Sequence, residues 1–596
     1  MTAPLKISVV LPTYNRRDVL VSRALPAIFD QDIPVNDYEI VVVVDGSTDG
    51  TAEALHALRP PCSLRIIEQP NRGPSAARNI GIQAARADLL LFIDDDNICG
   101  PHLLQQHVAA HAEPESVVVY GPISVAPGTP PSILKNATEA WYQKYYGRLD
   151  SQNGLKWPED GYLIPNSSMP RATLVACGGF DENMPAPAKE DYELGLRLWK
   201  MGVRFKYLPQ AVACEFLVKS TREVLRNEGE RFGKTEVRLS RKHSDYRPYS
   251  ALAVLGKIVW WKRLWQRTYV RLPLAPVGLL MPPIWVCDKL CRFPAMQRTG
   301  HHLLGIGRGI VELRAAAREA GSWKALQREF GMRLPVLLYH HVGPLRPGTI
   351  PGLTVSPQRF ERHVRWLARR GYTGIRPEAW VRWRREGKGL PDKPVLLTFD
   401  DGYEDLVEYA LPVLRRYGFG AAVYVVTGQL GGTNAWDEAR GSGTLRLMTA
   451  EQIRYWATQG IEFGAHSRTH RNLTTLSANE LSEEVGGSGK DLESILGAQV
   501  VSFAYPYGFH NQAVDDCVCG AFDLAFIADD HDEGLNHLLT DPHLLLRTMV
   551  QTNDSSLDLE CRARWGRNPF LNLRARVGLR SRLKRATRWV FGRDPR

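Results

Sequence analysis

Four short apolar runs, residues 7–11, 38–44, 64–68 and 89–93, alternate with amphipathic stretches over residues 5 to about 110. That rhythm commits this part of the chain to an α/β fold: a doubly wound, mostly parallel sheet with helices on both faces. In such sheets the ligand site lies beyond the carboxyl ends of the strands. Polar residues fall at those ends: Thr13-Tyr14-Asn15 after the first run, Asp45 after the second and Asp94-Asp95-Asp96 after the fourth. A second α/β region starts near Leu334 and continues to about residue 555. It shares no motif with the first, so the halves are not a duplication.

At 596 residues the chain is too long for one core. The formal net charge of +11 is unevenly placed: residues 562–596 carry twelve Lys or Arg against one Asp. The remainder is close to neutral, so basicity belongs to a tail and not to the catalytic regions. Nine scattered cysteines form no CxxC pair, which fits a reducing compartment. Cys517-Val-Cys519, the one close pair, reads as two packed thiols. The opening residues run straight into a strand without the features of a secretion signal, so the expected location is cytoplasmic. The longest uncharged stretch, residues 272–287, is sixteen residues with four prolines. That is short of the ~20 apolar residues of a single-pass helix, and an interfacial segment is the alternative.

Two carboxylates at i and i+2 that end a strand can hold one divalent cation. Hard ions such as Mg²⁺ or Mn²⁺ prefer oxygen ligands and share them with phosphates, and such an ion neutralises a departing diphosphate. Here the Asp triplet follows an apolar strand and is preceded by Asn71-Arg-Gly-Pro-Ser-Ala-Ala-Arg-Asn79.

With Val10-Leu-Pro-Thr-Tyr-Asn15, Val44-Asp45-Gly-Ser-Thr-Asp49, Phe92-Ile-Asp94-Asp95-Asp96 and Glu190-Asp191, these residues resemble family 2 glycosyltransferases of the GT-A fold over about residues 5–215. The resemblance implies a nucleotide-sugar site of Thr13, Asn15, Asp45, Arg78, Asp94, Asp95, Asp96 and Glu190. In it Asp45 and Arg78 hold the nucleotide, while Asp94 and Asp96 serve the diphosphate and metal. Asp191 is implied as the general base that deprotonates the acceptor hydroxyl, giving inversion. Many relatives ligate the metal with a His downstream of the base; Glu215 takes that place here.

In the second region, Val395-Leu-Leu-Thr-Phe-Asp400-Asp401-Gly402 is followed by His466-Ser-Arg-Thr-His470. Two His and one Asp leave a tetrahedral metal open for water or substrate. The other Asp, kept off the metal, can take the water's proton.

These residues resemble the polysaccharide deacetylases of carbohydrate esterase family 4, whose fold is a distorted (β/α) barrel, over about residues 334–555. By that resemblance Asp400 is the base, Asp401, His466 and His470 bind Zn²⁺ or another divalent metal, and the Tyr507 backbone N–H serves the oxyanion. The third family motif reads Ala504-Tyr-Pro-Tyr507-Gly here, so the arginine that steadies the base is absent from it. Leu545-Leu-Arg547 stands where a Leu-x-His motif is usual. Both departures resemble the branch of biofilm poly-N-acetylglucosamine deacetylases, in which an N-terminal Tyr-His supplies the general acid. Tyr339-His340 fits that pattern. His340 is the implied acid, with His341 and His543 as fallbacks.

Between the two regions the chain reads as helical, basic and Trp-rich, as in residues 257–265. The tail, residues 570–591, places apolar residues among basic ones, a pattern suited to an amphipathic helix on an anionic membrane. Nucleic acid is not expected, since no binding module accompanies the charge. The expected organisation is a transferase domain over 1–220, a helical linker over 221–330, a deacetylase domain over 331–555 and a basic tail over 556–596.

The expected function is bifunctional: transfer of a sugar, an N-acetylhexosamine, from a nucleotide donor, and metal-dependent N-deacetylation of a related glycan. Both would occur at the inner face of the membrane on a glycan or polyprenyl-linked acceptor, in exopolysaccharide or envelope synthesis. The alternatives are deformylation or deacetylation of an unrelated lipid-linked sugar, and a scaffold with one degenerate, glycan-binding half.

Overall fold

The computed structural model describes residues 4–112, 117–152, 165–184, 187–257, 275–345, 352–440, 444–528 and 535–566. The chain divides into two compact units, Met1–Tyr249 with Val259–Leu326, and Ser250–Ile258 with Gln327–Arg596.

In the first unit the strands are β1 (Ile7–Thr13), β2 (Tyr38–Asp45), β3 (Ser63–Gln69), β4 (Leu89–Phe92), β5 (Asn97–Cys99), β6 (Val117–Tyr120), β7 (Ile123–Val125), β8 (Ser167–Pro170), β9 (Arg204–Tyr207) and β10 (Ala213–Glu215). Seven form one sheet in the order β3-β2-β1-β4-β8-β6-β9, and β5-β10-β7 form a second. β3-β2-β1-β4 pair in parallel, whereas β8 runs antiparallel to both its neighbours. The sheet is therefore mixed, parallel in the half that the four apolar runs build. Its central strands β1 and β2 are buried along their whole length, which is why Val41-Val-Val-Val44 reads as a continuous apolar run rather than an alternating one. β3, at the edge, is mostly half-exposed.

The segment expected as a linker is divided between the units. Helices Gly229–Lys242 and Pro294–Glu319 pack on each other within the first unit, and Gly233 is where they cross. A Cβ added at Gly233 would meet the Glu312 carbonyl oxygen at 2.1 Å. The stretch Ala251–Gly256 belongs to the second unit, where the Arg333 Nε donates to the Gly256 carbonyl at 2.7 Å. The expected boundary at 220/221 thus moves: helices from beyond it complete the first unit. Most of the Trp-rich 257–271 stretch and the whole 570–591 helix lie outside the described residues. Among the described residues no helix is long and apolar enough to cross a membrane.

The second unit contains β11 (Leu334–Tyr339), β12 (His341–Val342), β13 (Thr354–Val355), β14 (Thr373–Gly374), β15 (Pro394–Phe399), β16 (Ala421–Val425), β17 (Ile461–Ala465), β18 (Ser502–Ala504), β19 (Leu524–Ala528), β20 (Leu535–Asn536) and β21 (Leu545–Met549). β15-β16-β17-β18-β19-β21-β11 are joined by parallel pairings, and β11 pairs back to β15. Seven parallel strands thereby close a barrel. In parallel barrels side chains of catalytic use sit at the carboxyl ends of the strands.

The expected end of this domain at 555 is too early. Helix Ser556–Trp565 starts at a Ser555 capping box, stops at Gly566 in the left-handed region, and buries Leu559 and Ala563 in the barrel's core. Arg562, counted from sequence in the basic tail, is buried and bonded through Nε to Asp554 at 3.0 Å.

Candidate active sites

Beyond β15, Asp400 and Asp401 part company. Asp401 has φ +68° and Gly402 φ +71°, so consecutive left-handed residues turn the chain at the barrel mouth. A non-Gly residue with this φ is uncommon, and at 402 a Cβ would lie 2.8 Å from Val425. The Asp-Asp-Gly order has a steric cause.

Asp401 Oδ1 lies 3.6 Å from His466 Nε2 and 3.3 Å from His470 Nε2. Among the described residues this is the one set of three His, Cys, Asp or Glu whose ligand atoms lie within 4.8 Å of one another. His466 engages the Ala504 carbonyl through Nδ1 at 2.7 Å, which leaves Nε2 turned to Asp401. Burial, reinforced by the nearby His470, pushes the His466 imidazole down to about 4, so it is neutral and offers a lone pair. The Asp401 carboxyl is held below the usual carboxylate range: burial alone would raise it, and the His470 hydrogen bond and charge outweigh burial. Buried, converging lone pairs from two imidazoles and one carboxylate fit a divalent cation of the zinc class. His470 also stands at φ +59°, Ser467 at +62° and Tyr507 at +60°. Backbone strain of this kind collects where a site must be over-determined.

Asp400 points at a different partner. Arg547 on β21 donates from Nη1 and Nη2 to its two carboxylate oxygens at 2.6 and 2.8 Å, with the guanidinium fully buried. Burial would raise the Asp400 carboxyl, and the Arg547 charge beside it holds it low instead. The expectation that no arginine steadies this carboxylate is therefore corrected. It comes from the strand where a Leu-x-His motif was sought, and the signal was an Arg inside the apolar run Leu544–Met549.

His340, half-buried between β11 and β12, is close enough to help lower both aspartates. The fallbacks are engaged elsewhere: His341 Nε2 with Asp405 at 2.6 Å, His543 Nε2 with the Phe522 carbonyl at 2.8 Å. Tyr507 meets His470 edge-on with ring centroids 4.5 Å apart, and Trp436 stacks on His470 at 4.8 Å. Trp436 lies in the short 3-10 helix Ala435–Arg440, whose sequence carries no signal for this role.

In the first unit the predicted residues gather around the carboxyl ends of β1, β2 and β4. The Thr13 hydroxyl donates to Asp95 Oδ2 at 2.7 Å. Asn15, at φ +52°, accepts from the Thr48 N–H at 2.7 Å and so pins the loop after β2. Asp45 accepts from Gln69 Nε2 and from the N–H groups of Arg72 and Gly73, at 2.6–2.8 Å. It braces the Asn71-Arg72-Gly73 turn, and Gln69 is a partner the sequence did not disclose. Arg78 is buried and bridges Asp94 at 2.9 Å and Glu190 at 2.8 Å. Glu190 and Asp191 open helix Glu190–Lys200, where Asp191 Oδ1 accepts from the Tyr192 N–H at 2.8 Å and acidic residues favour the helix dipole.

Charge is less evenly matched here. Burial, with Asp94 beside it, pushes Asp95 up to about 6. Burial and the charges of Glu215, Asp95 and Asp94 push Asp96 well above its usual range. Glu215 is also raised by burial, although Lys219 and the Tyr142 hydroxyl at 2.5 Å oppose it. β10 pairs with β5 so that Glu215 stands opposite Asn97, beside Asp96. The fold does not draw Asp94, Asp96 and Glu215 into one set within 4.8 Å. Buried excess negative charge still fits a hard divalent cation at Asp94 and Asp96.

Asp191 lies on a cleft of 580 Å³. Its walls come from helix Ile133–Gln152, the start of helix Glu190–Lys200, the segment after β10, and helices Gly229–Lys242 and Pro294–Glu319.

The glycosyl transferase family 2 model matches residues 8–168, and the polysaccharide deacetylase model matches residues 387–518. The chain joins a family 2 glycosyltransferase domain to a polysaccharide deacetylase domain. A validoxylamine A glucosyltransferase of Streptomyces hygroscopicus subsp. limoneus is 32% identical over 222 residues, 33% of this chain and 48% of that protein. YxkH of Bacillus subtilis (strain 168), named for polysaccharide deacetylation, is 27% identical over 202 residues, 34% of this chain and 66% of its own. The chain thus spans about half to two thirds of the length of these curated relatives. Among solved structures, the Streptococcus pyogenes deacetylase PplD in complex with acetate is 24% identical, covering 38% of this chain and 97% of its own, with a TM-score of 0.34.

Proposed function

We propose that the two domains are both active and work on related glycans: one transfers an N-acetylhexosamine from a nucleotide sugar with inversion, the other removes an N-acetyl group. The observation that supports this reading is that each unit gathers its own cluster of carboxylates at strand ends, joined in the second unit by two histidines.

In the first unit Asp191 takes the acceptor hydroxyl's proton at the inner end of the cleft. Arg78 ties Asp94 to Glu190 and so couples the strand end to the helix that carries the base. Thr13 and Asn15 hold the loops that border the nucleotide, and Asp45 braces the turn beside them. Asp94 and Asp96, with Glu215 adjacent, would hold a Mg²⁺ or Mn²⁺ ion, which would supply positive charge for a departing diphosphate.

In the second unit Asp401, His466 and His470 would hold Zn²⁺ or another divalent ion, which would acidify a water and polarise the amide carbonyl. Asp400 receives the proton, with Arg547 fixing its orientation. His340 donates to the leaving amine, and the Tyr507 N–H stabilises the oxyanion.

The setting is synthesis of an exopolysaccharide or envelope glycan on a glycan or polyprenyl-linked acceptor at the inner membrane face. Supporting attachment there, Leu279, Trp285 and Phe293, on and just after helix Ala275–Lys289, are exposed. Trp at a membrane interface is favoured.

The deciding experiment supplies purified protein with a panel of nucleotide sugars and, separately, a short N-acetylated oligosaccharide, with mass spectrometry of the products. Consumption of a nucleotide N-acetylhexosamine and a loss of acetyl abolished by chelation are expected. A protein that loads divalent metal yet leaves every donor and every acetyl untouched refutes the reading.

A further inference from the structure

The two imidazoles beside Asp401 are held in different ways. A metal-ligating His ordinarily donates its second ring N–H to a carbonyl or carboxylate, which fixes its tautomer and orientation. His466 does so through Nδ1 to the Ala504 carbonyl at 2.7 Å. The buried Nδ1 of His470 has no hydrogen-bond partner among the described residues.

The backbone at His470 is nevertheless fixed. Glu484, buried on helix Ala478–Leu496, accepts through Oε2 from the N–H groups of Arg468 and Thr469 at 3.0 and 2.9 Å. The His470 N–H donates to Ser467 Oγ at 3.0 Å. Those bonds leave the side-chain torsions of His470 unconstrained. Rings close around it instead. Tyr507 and His466 meet the imidazole at steep angles, 75° and 64°, whereas Trp436 lies along its face at 24° with centroids 4.8 Å apart. A neighbour lying on the ring face is the one that resists its tilting, because tilting drives atoms into the facing plane.

The segment that bears Trp436 is bonded in turn to the turn of Asp401. The buried Asn434 accepts through Oδ1 from the Leu445 N–H at 2.7 Å, and its carbonyl accepts from the Asp437 N–H at 3.0 Å. The Leu447 N–H donates to the Gly432 carbonyl at 3.0 Å, and the Met448 N–H to the Gly402 carbonyl at 2.9 Å. Gly402 follows Asp401 directly.

We infer that Trp436 is a positioning residue for the metal centre: its indole face sets the plane of the His470 imidazole and, through Gly402, keeps that ring in register with Asp401. This rests on the metal reading of the second unit above. It adds a residue from outside both the Asp-Asp-Gly and the His-x₃-His motifs, and assigns it to the hold on the ion rather than to contact with the glycan.

The test uses the full chain, stripped of metal and titrated with Zn²⁺ against a chromogenic chelator, with Mg²⁺ in excess to fill the oxygen-ligand site of the first unit. The parent is expected to hold a tight Zn²⁺ that His466→Ala lacks. Trp436→Ala and Trp436→Leu should each weaken it by about 10–100-fold, the usual cost of losing a group that orients a metal ligand. Trp436→Phe keeps an aromatic face and should recover most of the loss. The melting curve of the metal-free Leu variant should match the parent's, and this variant decides the matter where Trp436→Ala does not fold. At saturating Zn²⁺ its KM for an N-acetylated oligosaccharide should also match. Unchanged Zn²⁺ affinity in the Leu variant, a Phe variant no better than Leu, or a raised KM at full occupancy would each overturn the proposal and leave the metal reading standing. A parent without the His466-dependent Zn²⁺ would remove the metal reading and this inference with it.

Discussion

The two acidic centres bury comparable charge and balance it in opposite ways. In the barrel Arg547 is the counterweight of Asp400 and His470 bonds to Asp401, and both carboxyls are held low. Around β4, Asp95, Asp96 and Glu215 share too little positive charge and are all pushed up. The protein itself pairs the Asp400 charge in the barrel centre, whereas the sheet centre is left with an excess of negative charge. The first arrangement suits a site that must hold a base ionised and still. The second suits one that must draw in a cation and a diphosphate and then release them.

The largest test of this comparison is to silence each centre by turns. Asp191→Asn should reduce sugar transfer by about 10²–10⁴-fold and leave deacetylation intact, and Asp400→Asn should do the reverse. Product analysis on both substrates checks it, and loss of both activities in a folded variant breaks the two-centre description. Next, His340→Ala should lower deacetylation within that same range while bound metal, measured by plasma emission spectrometry, stays at the wild-type level. Unchanged turnover would pass the acid's role to another group.

Arg547→Met probes the matching directly. It leaves Asp400 buried and unpartnered, so the variant should lose roughly 3–5 kcal/mol of stability by denaturant unfolding. Its deacetylation should fall with an acid limb displaced to higher pH, while metal content holds. Arg547→Lys should recover part of the stability, and little of the activity if the two-pronged contact is what orients the base.

The smallest effect concerns an unmatched carboxylate within the barrel unit itself. Glu462 on β17 is pushed up to about 7 by burial, and it accepts from the Glu378 N–H at 3.1 Å. A folded value above the unfolded one gives stability that is complete below about pH 4 and lost as pH rises through about 7. Glu462→Gln should therefore melt at least as high as the parent at pH 8 and no higher at pH 5. Scanning calorimetry at the two values decides whether imbalance alone costs stability.

Much of both centres was legible because their residues sit next to one another in sequence at strand ends. Asp400, Asp401, His466 and the Asp94 triplet follow apolar runs, and the left-handed turn at Asp401-Gly402 explains the motif's order. Arg547 was not legible as a partner because it lies 147 residues from Asp400 and meets it only when the barrel closes. Trp436 and Gln69 were missed for the same reason: a stacking or bracing contact leaves no local pattern. The cleft beside Asp191 was hidden because basic helices read as a connector until Gly233 shows where they cross. The domain end was placed early because Arg562 looked like tail charge, when it is a buried partner of Asp554.

The position of Arg547 also sets an order of events during synthesis. Asp401, His466 and His470 leave the ribosome well before β21, which takes several seconds more to emerge at about 5–20 residues per second. A growing chain can thus present its metal ligands while the base still lacks its clamp. The clamp on Asp400 arrives last, with the strand that completes the ring.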